Sequence, residues 1–327
     1  MNTDKGKITT RLLPLTNDLV FKAVYGRNTK ASNAALKALL NRLLEKEKDP
    51  IVWVHCENPF SYQTYVDEKE IIMDIKIRLS SGQLLDLEMQ VSHLTHYKKR
   101  AIYYMGKLVN ESLESGEDYD KMKETIVISI VDGTLFPQFD KVYSTFYFKE
   151  KDTNHLLDKI TQINFLELGK VDIESKPISE MTSHERLAVY FKYAADDSKK
   201  DYLNQLLEYE KEVLDMTTPI LEEISAEKQM REIAEAHRRY HINLNSAKSY
   251  GLRVGREKGR EEGRSEGEVL KLVRQVCAKL SKQKSIEAIA EELEEDISLI
   301  ELIYTVASKF SPNYDIEKIF DELNQYR

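Results

Sequence analysis

Cysteine is nearly absent: Cys56 and Cys277 are the only two in 327 residues, far apart along the chain. Two distant thiols supply neither a disulfide framework nor the closely spaced pairs of a zinc site, and they suit a reducing compartment. Long apolar runs are missing too. The opening stretch MNTDKGKITTRLLPLTND contains nothing long enough for a secretory leader or a membrane span. A soluble, cytoplasmic protein without a membrane partner is the expectation. Positive charge is in deficit, with a formal net charge of −8 and a pI of about 5.6. The molecule as a whole is therefore not a basic nucleic-acid-binding block, although local basic patches can steer such a ligand on an acidic protein. Two further signatures fail. His237 and His241 stand at i, i+4 but lack the glutamate of a His-Glu-x-x-His zinc helix, and they read as the surface of a charged helix. The stretch GREKGREEG follows no strand and lacks the Gly-Lys-Ser/Thr ending of a phosphate-cradling loop.

What is present is a mixed α/β pattern followed by helix. Residues 1–15 read as a flexible arm. TNDLVFKAVYG then reads as a short helix, with Thr16 or Asn17 as N-cap and Gly26 as its stop. Residues 31–45 have amphipathic helical spacing, 51–58 read as a strand, and 94–115 as a helix ending at Gly116. ETIVISIVD (124–132) is an apolar, β-branched run of strand length, which predicts a buried central strand. YSTFYFKE and ITQINFLEL are two further strands, and from about residue 180 the pattern is helical. The expected organisation is a core domain over 16–222, a helical linker over 223–267 and a small helical domain over 268–327. In the linker, glycine recurs at 251, 255, 259, 263 and 267, and Arg256, Arg260 and Arg264 keep the same period. Glycine costs a helix about 1 kcal/mol per position relative to alanine. The row is either a helix face built for close packing, including a contact between copies of the chain, or a flexible charged linker. In the last segment Ser285 and Asp296 are the expected N-caps. The helix starting at Ile297 has few basic or amide side chains to read base edges, which favours a protein-facing cap.

The stretch IIMDIKIRLSSGQLLDLEMQ (71–90) carries the chemistry. It reads as a β-hairpin in which Asp74, Lys76 and Arg78 share one face of the first strand, and Asp86, Glu88 and Gln90 one face of the second. A two-residue turn would set Asp74 against Met89. A three-residue loop, Ser80-Ser81-Gly82, with glycine in the left-handed position, pairs Lys76 with Asp86 and Asp74 with Glu88. Two carboxylates directly opposite, with Cα atoms about 4.5–5.5 Å apart, repel unless a cation sits between them. Hard divalent ions take carboxylate oxygens. The alternative is an exposed sheet face on which Lys76 and Arg78 neutralise the acids.

Asp74 followed by Glu88-Met89-Gln90 resembles the PD-(D/E)XK nuclease superfamily, and within it the transposase-like Rpn family of recombination-promoting nucleases. LPLTNDLVFKAVYG at 13–26, the hairpin at 74–90 and the tyrosine-rich helix at 100–119 carry the likeness, which covers roughly residues 10–220. The resemblance implies a restriction-endonuclease-like mixed sheet flanked by helices, followed by an all-helical C-terminal extension. It also implies a DNA endonuclease using a divalent metal: Mg2+, with Ca2+ or Mn2+ as alternatives. Carried over by position, Asp74 and Glu88 are metal ligands, and Asp18 is the helix-borne acid completing the set. As an alternative, Asp18 only complements the helix dipole. Gln90 stands where most of the superfamily has lysine, and an amide cannot serve as a base at neutral pH. Lys22 and Lys76 are candidate phosphate contacts, with Lys76 pairing to Asp86 as the other reading. In HYKKRAIYY, Lys98, Lys99 and Arg100 suit phosphate-backbone contact, or else form an ordinary solvated helix face. The competing function is a catalytically weak DNA- or protein-binding module of the same fold, with its helical tail mediating assembly or inhibition.

Overall fold

The computed structural model describes residues 12–60, 75–91 and 94–325. Within them a mixed six-stranded sheet has the order β1-β2-β3-β4-β6-β5. The strands are β1 (Val54–Cys56), β2 (Ile75–Leu79), β3 (Leu84–Gln90), β4 (Thr125–Val131), β5 (Tyr143–Phe146) and β6 (Thr161–Glu167). β3, β4 and β6 run parallel to one another, and the remaining neighbours are antiparallel. All seven residues of β4 are buried, as a β-branched run covered on both faces requires.

The helices divide between the two faces. The first in the chain is α1 (Asp18–Tyr25), where the Asn17 side chain accepts from the Val20 N–H at 3.2 Å. Such a cap contributes about 1 kcal/mol. α1 packs with α2 (Lys30–Leu43) under the apolar face of the sheet. There Ile75, Ile77, Leu85, Leu87, Met89, Ile126, Ile128 and Ile130 form a core with Phe21, Leu36, Leu39 and Leu40. Each fully buried aliphatic side chain contributes about 1.5–3 kcal/mol. On the opposite face lies α3 (Tyr97–Glu111), joining β3 to its parallel neighbour β4. Its Tyr97, Ala101, Tyr104, Met105 and Leu108 cover Leu84, Val127, Val131 and Phe165. α4 (Ser183–Tyr193), α5 (Lys200–Leu206) and α6 (Lys211–Ala226) supply further residues to the first core.

The hairpin register agrees with a three-residue loop. Lys76 is the partner of Asp86 and Ile75 of Leu87, Gly82 has φ +85°, and its N–H donates to the Leu79 carbonyl. Asp74, and with it the expected pairing to Glu88, lies outside the described residues.

Two expected boundaries are corrected. Residues 12–15 are not part of an arm: Leu12 and Leu15 are buried in the main core, and the Leu13 N–H donates to Ser225 Oγ at 2.8 Å. The core domain does not stop at 222 either. α6 crosses that position, and Met230 and Ala234 of α7 (Lys228–Leu280) are buried in the same core. By packing, the first unit extends through His241 and the second begins at Ile242. The glycine row at 251–267 lies within α7, and a Cβ at any of its five glycines would meet no atom within 4 Å. The row is thus helical, and it makes no close packing within the described part of the chain.

The second unit closes Val273 and Val276 of α7 over α8 (Ile286–Leu293), α9 (Ile297–Ser308) and α10 (Ile316–Leu323). Ser285 caps α8 through the Ala288 N–H, and Asp296 caps α9 through the Ser298 N–H.

Candidate nuclease site

β3 is buried along its whole length, so its alternation separates two buried environments rather than core from water. Leu85, Leu87 and Met89 enter the apolar core beneath. Asp86, Glu88 and Gln90 point to the α3 side, 0%, 2% and 9% exposed. Moving a carboxylate out of water costs several kcal/mol unless partners compensate. Two carboxylates in neighbouring same-face positions of one central strand therefore need a reason.

α3 supplies the partners. The Arg100 guanidinium donates from Nη1 to Gln90 Oε1 at 3.0 Å and from Nη2 to the Tyr104 hydroxyl at 2.8 Å. The same Nη2 lies 3.6 Å from Glu88 Oε2. The rings of Tyr97 and Tyr104 flank the guanidinium, with centroids 5.3 and 5.4 Å from its carbon. Arg100 Nε is buried and has no hydrogen-bond partner among the described residues. Burial first, then the charge of Glu88, push the Tyr104 hydroxyl up, against the opposing pull of Arg100. Tyr104 is thus a neutral phenol that accepts from Arg100 and retains its own proton. Across the sheet Glu88 is level with Ser129 of β4, whose Oγ accepts from the Tyr97 hydroxyl at 3.0 Å. Arg100, read from sequence as a phosphate contact, is also built into this network.

Lys76 also departs from expectation. It is level with Asp86 in the backbone register, but its ammonium reaches Glu57 Oε2 at 2.7 Å and the Glu111 carboxylate of α3. Burial alone would lower its pKa; the hydrogen bonds to Glu111 and Glu57 outweigh that and raise it. Lys76 therefore fastens β2 to α3. Lys98 places its ammonium 4.3 Å from the Phe136 ring centroid, and Lys99 is exposed. Lys22 is partly buried in α1. Its charge opposes the burial that pushes the nearby Cys56 thiol up to about 11.

Asp18 opens α1, where its Oδ1 accepts from the Leu19 N–H at 2.8 Å. The same oxygen lies 3.2 Å from His237 Nδ1 of α7. The sequence pattern missed His237 as a neighbour of the candidate site. A signal existed, because Met230, Ala234 and His237 follow the i, i+4, i+7 spacing of one helix face and the first two are buried. Among the described residues no three His, Cys, Asp or Glu side chains converge into a cation-holding group. The set proposed from sequence includes Asp74, which lies outside them. The donor chemistry nevertheless fits a hard divalent ion, since Asp86 and Glu88 bring carboxylate oxygens to one water-poor face.

A family model for PD-(D/E)XK nuclease family transposases matches residues 15–251, which span the whole sheet and the helices on both its faces. No curated protein and no solved structure matches the chain. PD-(D/E)XK nucleases generally use divalent metal ions. With its mixed sheet, its Glu88-Met89-Gln90 strand end and a family match over most of its length, the chain belongs to the PD-(D/E)XK nuclease family transposases.

Proposed function

We propose that the chain is a divalent-metal-dependent DNA endonuclease that serves recombination or defence against foreign DNA. The observation that carries this reading is the set of buried polar side chains on β3, Asp86, Glu88 and Gln90, with Arg100 engaging the last two. A purely structural central strand would bury apolar residues there, because replacing buried ion pairs by apolar groups is often stabilising.

Asp74, Glu88 and Asp18 are the proposed holders of the cation, Mg2+ first among the candidates. When bound, such an ion polarises a phosphodiester and lowers the pKa of a water. The chain's own groups do the rest. Guanidinium nitrogens only donate, so the bond from Arg100 fixes the Gln90 carboxamide with its oxygen toward α3 and its NH2 group turned away. That amide donates to an oxygen but takes no proton. Gln90 is therefore assigned to orienting a phosphate oxygen or the attacking water, in place of the superfamily's lysine. Arg100 holds Gln90 and Glu88 in one frame, and its own buried Nε–H is left as a further donor among the described residues. Lys99 on the exposed side of α3 supplies a phosphate contact whose strength should fall with salt.

The test is incubation of the purified protein with supercoiled plasmid in Mg2+, Mn2+, Ca2+ or EDTA. Nicking that needs metal and is lost in Glu88→Ala and in Asp74→Ala supports the proposal. Plasmid left intact in every metal, despite measurable DNA binding, supports the second reading, a binding module of the same fold. The Gln90 amide favours that second reading.

A further inference from the structure

The chain has one tryptophan, and it is not in the core. Trp53 precedes β1, the edge strand of the sheet, and is 48% exposed beside Val52 at 70%. Within β1, Val54 and Cys56 turn inward and are buried in the main core, and the intervening His55 turns outward. Trp53 and His55 lie nearly parallel on that outward side, with centroids 5.9 Å apart and an interplanar angle of 14°. His55 is level with Arg78 of β2, whose Nε donates to Glu57 Oε1 while its side chain stays 42% exposed.

The register connects this pair to the candidate site. His55 and Arg78 form one same-face row, Lys76 and Asp86 the next, and Glu88 lies one row further along β3. Successive rows are two residues, about 7 Å, apart along the strands. The aromatic pair thus lies on the same side of the sheet as Glu88, at the edge strand, which no described helix covers on that side. α3 covers the sheet over β3, β4 and β6 on this side. A flat indole stacked on a histidine that is level with an arginine is a poor apolar dock for a protein. It matches a nucleobase face next to a phosphate.

We propose that Trp53, backed by His55 and with Arg78 beside it, is a stacking platform for an unpaired base of the DNA strand whose backbone enters the Glu88 site. In a duplex each base face is already covered by its neighbours, and only base edges are open. The platform therefore selects DNA with single-stranded or frayed segments over intact duplex. The inference rests on the nuclease reading for its substrate, and the measurement below separates the two.

Because Trp53 is the sole tryptophan, its emission reports on this position alone. The full-length protein in EDTA is titrated with a thymidine oligonucleotide and with a blunt-ended, fully paired two-strand duplex of equal length. Binding is followed in parallel by anisotropy of a labelled strand. The single strand is expected to quench the emission, and the duplex to do so weakly. Trp53→Ala should weaken single-strand binding about tenfold, the worth of one stacked base, and Trp53→Phe should retain most of it. Emission unchanged by an oligonucleotide that anisotropy shows to be bound overturns the proposal, as does equal affinity of Trp53→Ala. Metal-dependent nicking of plasmid alongside unchanged emission removes the platform and leaves the nuclease standing. Quenching without nicking in any metal keeps the platform and removes the nuclease.

Discussion

Acidic side chains are dense both on β3 and on the exposed stretch of α7, and the two places obey different electrostatics. Asp86 and Glu88 are almost wholly removed from water, with Arg100 as a shared cationic neighbour of Glu88 and Gln90. On α7, Arg264 meets Glu268 at 3.1 Å with side chains 82% and 68% exposed. A pair of unit charges 4 Å apart interacts by about 1 kcal/mol in water and about 4 kcal/mol in a partly shielded protein environment. Exposed pairs contribute little to stability, and a charge buried without compensation costs several kcal/mol. Similar residue types are thus a fixed chemical device in the sheet and an adjustable surface on the helix. Substitutions should divide the same way.

The sharpest break in that contrast is Glu88→Ala. Under the proposed mechanism it should lower metal-dependent nicking by about a thousandfold or more, roughly 4 kcal/mol of transition-state stabilisation. Thermal unfolding of the same variant shows whether the fold is intact. Retention of more than a tenth of the parent rate would remove Glu88 from the chemistry. Next in size is Arg100→Lys. One ammonium cannot keep the separate bonds to Gln90 and Tyr104, so the turnover rate should fall about 10- to 100-fold even though the charge is conserved. A loss confined to DNA affinity, with unchanged turnover, would return Arg100 to the role of a simple phosphate contact.

The β3 face was legible in the sequence because strand periodicity is two and the turn fixes the register. Gly82 marks the loop, and Lys76 opposite Asp86 follows from it. Caps were legible for a similar local reason: Asn17, Ser285 and Asp296 sit immediately before apolar-periodic runs and bond to the first-turn N–H groups. What escaped is tertiary. Nothing local joins Lys76 to Glu57 and Glu111, or Asp18 to His237: the first contact depends on the pairing of β1 with β2, and the others on how α3 and α7 dock. Arg100 looked like one of three equivalent basic residues in Lys98-Lys99-Arg100. The helix phase separates them, turning Arg100 toward Gln90 and leaving Lys99 in solvent. The extent of the first unit was drawn too short because the run Leu12-Leu13-Pro14-Leu15 is too brief to form an element of its own, and the Met230–Ala234 face lies in a helix pattern that continues unbroken into the charged stretch beyond.

The helix side of the comparison is sharpened by converting Gly255, Gly259 and Gly263 to alanine together. No atom lies within 4 Å of a Cβ at any of the three positions, so the methyl groups meet no steric barrier within the chain. Each exchange should favour the helix by about 1 kcal/mol. Circular dichroism should show increased helicity or a higher-melting helix, with nicking unaltered. A lower melting point, or a smaller species in sedimentation, would show instead that the row packs closely against another copy of the chain.

The smallest effect concerns acid. Hydrogen bonds from Lys279 and Lys284 hold the Glu292 carboxyl at about 2, below its ordinary 4.5. A carboxyl depressed in the folded state binds fewer protons there than in the unfolded chain. Its contribution is therefore complete above about 4.5 and disappears as the pH falls from there toward 2. Lys279 lies on α7 and Glu292 on α8, so protonation loosens a contact that ties one helix of the second unit to another. Thermal unfolding at pH 7, 4.5 and 3 should show the parent losing stability mainly in the last interval. Glu292→Gln should be less stable than the parent at pH 7 and show a smaller drop between 4.5 and 3. Parallel losses in the two proteins would mean that Glu292 contributes nothing measurable. That result would place the ion pair with the solvent-screened charges of the exposed helix rather than with the enforced ones of the sheet.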